Sequence, residues 1–179
     1  METPRRQTRS GFTLLETALA TIIVGVGVLA MVQLFAACTV QNVVGSHMTT
    51  AMLLANNIQE MMAPLPFNDP SYGPTYFGPE PGEAWPNYND VDDFDGLVFN
   101  PPIDSFKKQI PALSQYTQKI SVMPVLPNQL SGNTNESAPT IAKSTYTGAV
   151  RVRVHVYYQP TPGQPAIEVY SMSWIRVDR

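Results

Sequence analysis

The amino-acid sequence predicts an α+β protein, a long N-terminal helix packed on a small antiparallel β-sheet. Three observations carry that expectation. No Asp, Glu, Lys or Arg occurs from Thr17 to Gln59, and the second part of that stretch keeps an apolar stripe at spacings of three and four. From about Tyr116 the apolar period becomes two, the pattern of half-buried strands. Between them, residues 64–102 hold nine of the 17 prolines, which excludes long regular elements there. The chain is therefore read as a basic leader over 1–11, a long helix over 12–63, an irregular Pro- and aromatic-rich region over 64–115 and a β-sheet region over 116–179.

The leader, METPRRQTRSG, carries Arg5, Arg6 and Arg9 against Glu2. Thr17 to Cys38 follows as TALATIIVGVGVLAMVQLFAAC, with Gln33 its one strongly polar side chain. Some 20 mostly apolar residues cross a hydrocarbon core, so a membrane span over about 12–38 is expected. Three arginines before the span, with no basic residue for about 20 residues after it, place the N-terminus in the cytoplasm by the positive-inside rule. The stripe Val44, Met48, Ala51, Ala55, Ile58 and Met62 then predicts that the helix continues with one face on a soluble domain. Pro64 and Pro66 end it by removing donors and restricting the preceding residue.

Residues 64–102 add Phe67, Tyr72, Tyr76, Phe77, Trp85 and Tyr88 to their prolines, so an ordered excursion over the domain surface is expected rather than disorder. Ile120 and Val122 suggest one strand. Val150, Val152, Val154 and Val156 alternate with Arg151, Arg153, His155 and Tyr157 in another. A third alternation, Ile167, Val169, Ile175 and Val177, joins it through the Thr161–Pro165 turn as a hairpin. Arg151, Arg153 and His155 are expected on an exposed sheet face.

Composition narrows the function. One cysteine among 179 residues excludes a disulfide framework and a Cys-rich zinc site. A net charge of -3 argues against nucleic-acid binding, so no nucleic-acid partner is expected. There is no P-loop, HExxH, CxxC or nucleophile elbow, and no enzyme is expected.

Ser10-Gly11-Phe12-Thr13-Leu14-Leu15-Glu16, after a basic leader and before an apolar helix, resembles the class III signal of type IV pilins and type II secretion pseudopilins. The resemblance implies cleavage after Gly11 by a prepilin peptidase, N-methylation of Phe12, and Glu16 as the helix glutamate needed for assembly. In that family each glutamate pairs with the terminal amine of a neighbouring subunit. Physical chemistry adds that an acidic residue near a membrane helix is costly, so it marks function by default. Major pilins usually carry a proline in the membrane helix and a C-terminal disulfide loop. Here Gln33 stands in the region of that proline and Cys38 is the single cysteine, so the likeness is to minor pilins or minor pseudopilins. Ala51–Met62, AMLLANNIQEMM, is similar to the helix end of PilV-like minor pilins, and Asn89–Leu97, NDVDDFDGL, to an acidic segment of mannose-sensitive haemagglutinin pilus minor pilins.

The implied function is that of a structural subunit of a type IV pilus or type II secretion filament. It would sit as a single-pass protein of the bacterial inner membrane with a periplasmic domain, then enter the filament. The implied partners are the prepilin peptidase, other pilins or pseudopilins, the inner membrane and an assembly platform. Two alternatives stand beside it. The 64–102 loop would serve an adhesive or cargo-binding tip subunit. Phe35-Ala36-Ala37-Cys38 resembles a lipobox, which would make a lipid-anchored domain through Cys38.

No cofactor is expected beyond a Ca²⁺ alternative at Asp90, Asp92, Asp93 and Asp95, the densest charge cluster. The EF-hand template fails there: counting back from Gly96 puts Val91 at the first ligand position. A solvated acidic turn is the favoured reading of these four residues.

Overall fold

The computed structural model describes residues 11–73 and 76–178. The basic leader up to Ser10 therefore lies outside the described residues. By internal contacts the chain forms two units, one up to Gly45 and one from Ser46 onward. Helix α1, Leu14–Met62, contributes to both. The second unit adds strands β1 (Val98–Phe99), β2 (Tyr116–Pro124), β3 (Ala149–Tyr158) and β4 (Ile167–Val177), with short 3-10 turns at Asp92–Phe94 and Pro111–Leu113. The strands form one antiparallel sheet in the order β1-β2-β3-β4, so the architecture is the α+β fold that the periodicities imply.

In the first unit every described side chain is exposed, Leu14, Ile22, Val28, Phe35 and Val40 among them. The helix is long and apolar enough to cross a membrane. Its polar side chains bond back to their own turn: the Thr21 hydroxyl donates to the Thr17 carbonyl at 2.8 Å, and the Thr39 hydroxyl to the Phe35 carbonyl at 2.9 Å. In lipid, where no water competes, such internal partners are what a hydroxyl requires.

The second unit is built where the helix stripe meets the sheet. Ala51, Leu54, Ala55, Ile58, Met61 and Met62 are buried against Ile120 and Val122 of β2 and Val152, Val154 and Val156 of β3. Register explains the match: Ile120 pairs with Val154 and Val122 with Val152, which puts all four on one face. Full burial of a side chain such as Ile58 contributes about 1.5–3 kcal/mol. The buried stripe begins only at Ala51. Met48 and Val44, predicted to continue it, are exposed.

The helix ends at Met62, ahead of Pro64, with no basic residue in its last turn. Just past it, Arg176 of β4 donates to the carbonyls of Ala63 at 2.9 Å and Leu65 at 2.6 Å, placing a cation near the negative end of the helix.

Three expectations need correction. First, β4 buries a set only partly foreseen from its aliphatic residues. Val169 packs on the core as expected, but so do Tyr170, Met172 and Trp174, which pair with Val156, Val154 and Val152, whereas Ile167 and Val177 are exposed. A bulge leaves Val169 unpaired between Glu168 and Tyr170, so one alternation does not run unbroken through residues 167–177. Second, the opposite sheet face is not bare. Arg151 is buried and donates to the carbonyls of Leu130, Gly132 and Asn133, while Arg153 reaches Thr134 and Glu136. The polar loop after β2 is thus folded over that face, held by guanidinium groups that find carbonyl partners there. Third, the Pro-rich region is not confined to the surface. Val91, Phe94, Phe99 and Ile103 are buried in the core, and Trp85 packs at a tilt against Phe99 with ring centroids 4.8 Å apart. Apolar rings in an irregular segment still gain by burial, provided side chains satisfy the backbone around them.

Candidate functional site

Two places concentrate the residues that the sequence singles out, and each lies within one unit. The first is the start of α1. Gly11 and Phe12 precede the helix and are exposed, and Glu16 is exposed in its first turn. The Glu16 amide donates to Thr13 Oγ1 at 3.3 Å and to the Thr13 carbonyl at 3.1 Å. Thr13 therefore caps the helix, and Thr13-x-x-Glu16 has the spacing of a capping box. That spacing, not singled out in the sequence reading, assigns Glu16 a local task as well: an anion near the positive helix end. Cys38 sits inside α1, exposed, with helix running unbroken on both sides.

The second place is an acidic pocket in the second unit, made by the segment from Gly78 to Asp95. The turn over Asn89–Asp93 is wound by its own carboxylates. Asp90 Oδ1 accepts from the amides of Asp92 at 3.2 Å and Asp93 at 3.3 Å, and Asp93 Oδ2 accepts from Asn89 at 3.0 Å and Asp90 at 3.2 Å. Asp and Asn favour such local bonds, which is why this sequence makes a tight turn and not a strand. Around it Trp85, Tyr88, Phe94 and Phe99 form an aromatic wall, with Lys107 above Trp85 and donating to the carbonyls of Pro86 and Tyr88.

The four aspartates of the sequence cluster divide in space. Asp90 and Asp93 come together with Glu80, a residue the sequence reading did not include, and carboxylate oxygens of the three lie within 4.8 Å of one another. Asp92 instead accepts from the Gly78 amide at 2.7 Å, where Gly78 has a φ of +89° that favours glycine. Asp95 accepts from the Val122 amide at 2.9 Å and pairs with Lys143. The expected solvated turn is in fact sequestered: Glu80 is 8% exposed, and Asp90 and Asp93 are each 1% exposed. No local signal marks Glu80 as a partner, because nine residues of irregular chain lie between it and Asp90.

Burial penalises the charged form of each carboxylate. Desolvation first, then a hydrogen bond shared with Glu83 and repulsion from Asp93, pushes Glu80 up to about 7. Desolvation and the charges of Asp92 and Asp93 push Asp90 up to about 8. Asp92 and Asp93 are also raised, chiefly by burial. Glu136, on the other sheet face, shows the opposite balance: burial raises it, but His155 at 2.9 Å, Ser121 and Arg153 draw it below the ordinary value. A pocket of three oxygen donors with raised proton affinity is suited to holding protons or a hard cation.

No family model, no curated protein and no solved structure matches this chain.

Proposed function

We propose that this chain is a minor pilin or minor pseudopilin, a structural subunit processed by a prepilin peptidase and packed into a filament through its apolar helix. One observation carries the reading: the Gly11-Phe12 junction and Glu16 open a helix whose apolar side chains, from Leu14 to Val44, are exposed throughout. Apolar surface of that extent needs cover. Lipid provides it in a single-pass inner-membrane form with the second unit in the periplasm, and the helices of sibling subunits provide it in a filament. The arrangement of a long helix on an antiparallel sheet agrees with what the sequence resemblance implies.

A structural role is favoured over an adhesive one for residues 64–102. Phe94 and Phe99 of that segment are buried in the core, with Trp85 partly buried against it, so excising the segment would remove core and not only a binding loop.

The test is the mature N-terminus, read by mass spectrometry from membranes of cells with and without the peptidase. The expected product begins at N-methylated Phe12 only when the peptidase is present. A chain beginning at acylated Cys38 refutes the proposal. Glu16→Gln then separates charge from capping. Glutamine retains the capping-box geometry but cannot pair ionically with a neighbour's amine, so Glu16→Gln and Glu16→Ala should both be cleaved yet fail to enter filaments. Normal incorporation of Glu16→Gln would show that the carboxylate's charge is not what assembly uses.

A further inference from the structure

We infer that Glu80, Asp90 and Asp93 form a binding site for a hard divalent cation, Ca²⁺ by its donor chemistry, that ties Glu80 to the Asn89–Asp93 turn within the irregular segment. The inference does not depend on the filament reading.

Three features support it. The donor atoms come from separate parts of the segment and converge within 4.8 Å. Two of the inward oxygens, Glu80 Oε2 and Asp93 Oδ1, are buried with no hydrogen-bond partner, on side chains more than nine-tenths buried. Their orientation is imposed by the turn: Asp93 commits its Oδ2, and Asp90 its Oδ1, to backbone amides, which leaves the second oxygen of each carboxylate free of those bonds. Finally, among the described residues no Lys, Arg or His pairs with these three carboxylates. Lys143 is engaged by Asp95, and Lys107 by two carbonyls.

Unpaired buried carboxylates are too costly to stand. Either protons neutralise them, as the upward displacement of Glu80 and Asp90 allows, or a cation does. The donor chemistry narrows the cation. Zinc prefers nitrogen and sulfur donors, whereas an all-carboxylate set suits a hard cation, and Ca²⁺ tolerates irregular oxygen geometry where Mg²⁺ demands a near-ideal octahedron and dehydrates reluctantly.

The experiment uses the full chain in detergent, stripped with a chelator and titrated calorimetrically with CaCl₂ and, separately, MgCl₂ at about pH 7.5. One saturable Ca²⁺ site is expected, with a Kd of roughly 10⁻⁴–10⁻³ M, the range of extracellular modules, and with Mg²⁺ at least about tenfold weaker. Glu80→Gln and Asp93→Asn should each weaken Ca²⁺ at least about tenfold, while Glu60→Gln, at an exposed position on α1, should not. Should a pocket variant fail to fold, the wild-type chain still decides. Its thermal midpoint must rise with Ca²⁺ at about pH 7.5 and return to its starting value when a chelator is added. No saturable heat up to about 10 mM Ca²⁺ overturns the inference, as does undiminished binding by both pocket variants.

Discussion

Gln118 offers the sharpest test of how the second unit is held together. It lies on β2 with no exposed surface, between Val156 of β3 and Phe99 of β1, on the face that otherwise carries apolar residues. Its amide is fully used. Nε2 donates to the Leu54 carbonyl of α1 at 2.8 Å and to the Ile103 carbonyl at 3.1 Å, and Oε1 accepts from the Ile103 amide at 2.8 Å. One side chain therefore joins the helix, the sheet and the irregular segment. Gln118→Leu keeps the volume but strands both backbone groups of Ile103, which is itself buried. A buried donor or acceptor left without a partner costs about 1–3 kcal/mol, and the added apolar burial returns about 1 kcal/mol. The net loss should be about 3 kcal/mol, or a fall in Tm of about 10 °C for a unit of this size. Both tryptophans, Trp85 and Trp174, lie in this unit, so their fluorescence during guanidinium unfolding reports it selectively. A loss below about 1 kcal/mol would refute the view that this amide is the tie.

Two further predictions rest on polar groups of the second unit. In chelator, stability should fall as pH rises from about 4 to about 8, because Glu80, Asp90, Asp92 and Asp93 are raised on folding: the folded chain holds protons there that the unfolded chain has released. Thermal midpoints across that range check the sign, and a rising or flat curve would show that the pocket does not bury its carboxylates. Arg151→Ala should free the carbonyls of Leu130, Gly132 and Asn133 and open the covering loop; a loss of roughly 2–3 kcal/mol and faster tryptic cleavage at Lys143 are expected, and unchanged cleavage would refute the clamp.

Much of the fold follows from local rules. A charge-free apolar run fixes a long helix, proline stops it within two residues, and β-branched alternation with a Thr-Pro-Gly-Gln-Pro turn makes the β3–β4 hairpin. These signals are legible because each depends on neighbours within a few positions. The same holds for the Gly11-to-Glu16 resemblance, whose offsets are all local.

What periodicity cannot express is where a polar group finds its partner. Asp90 and Asp93 look like a solvated turn until Glu80 closes over them, Arg151 and Arg153 look like a bare face until the loop over 127–143 supplies carbonyls, and Gln118 finds its partners only when α1 and Ile103 arrive. The sequence by itself determined the apolar helix, its end, the sheet and the residue types available to a site. Tertiary structure alone decided which carboxylates meet, which face of β4 turns inward and which polar groups are buried. The physical reason is that apolar burial needs only the right period, whereas a buried hydrogen bond or charge needs one specific partner, and the chain delivers that partner from far away in sequence.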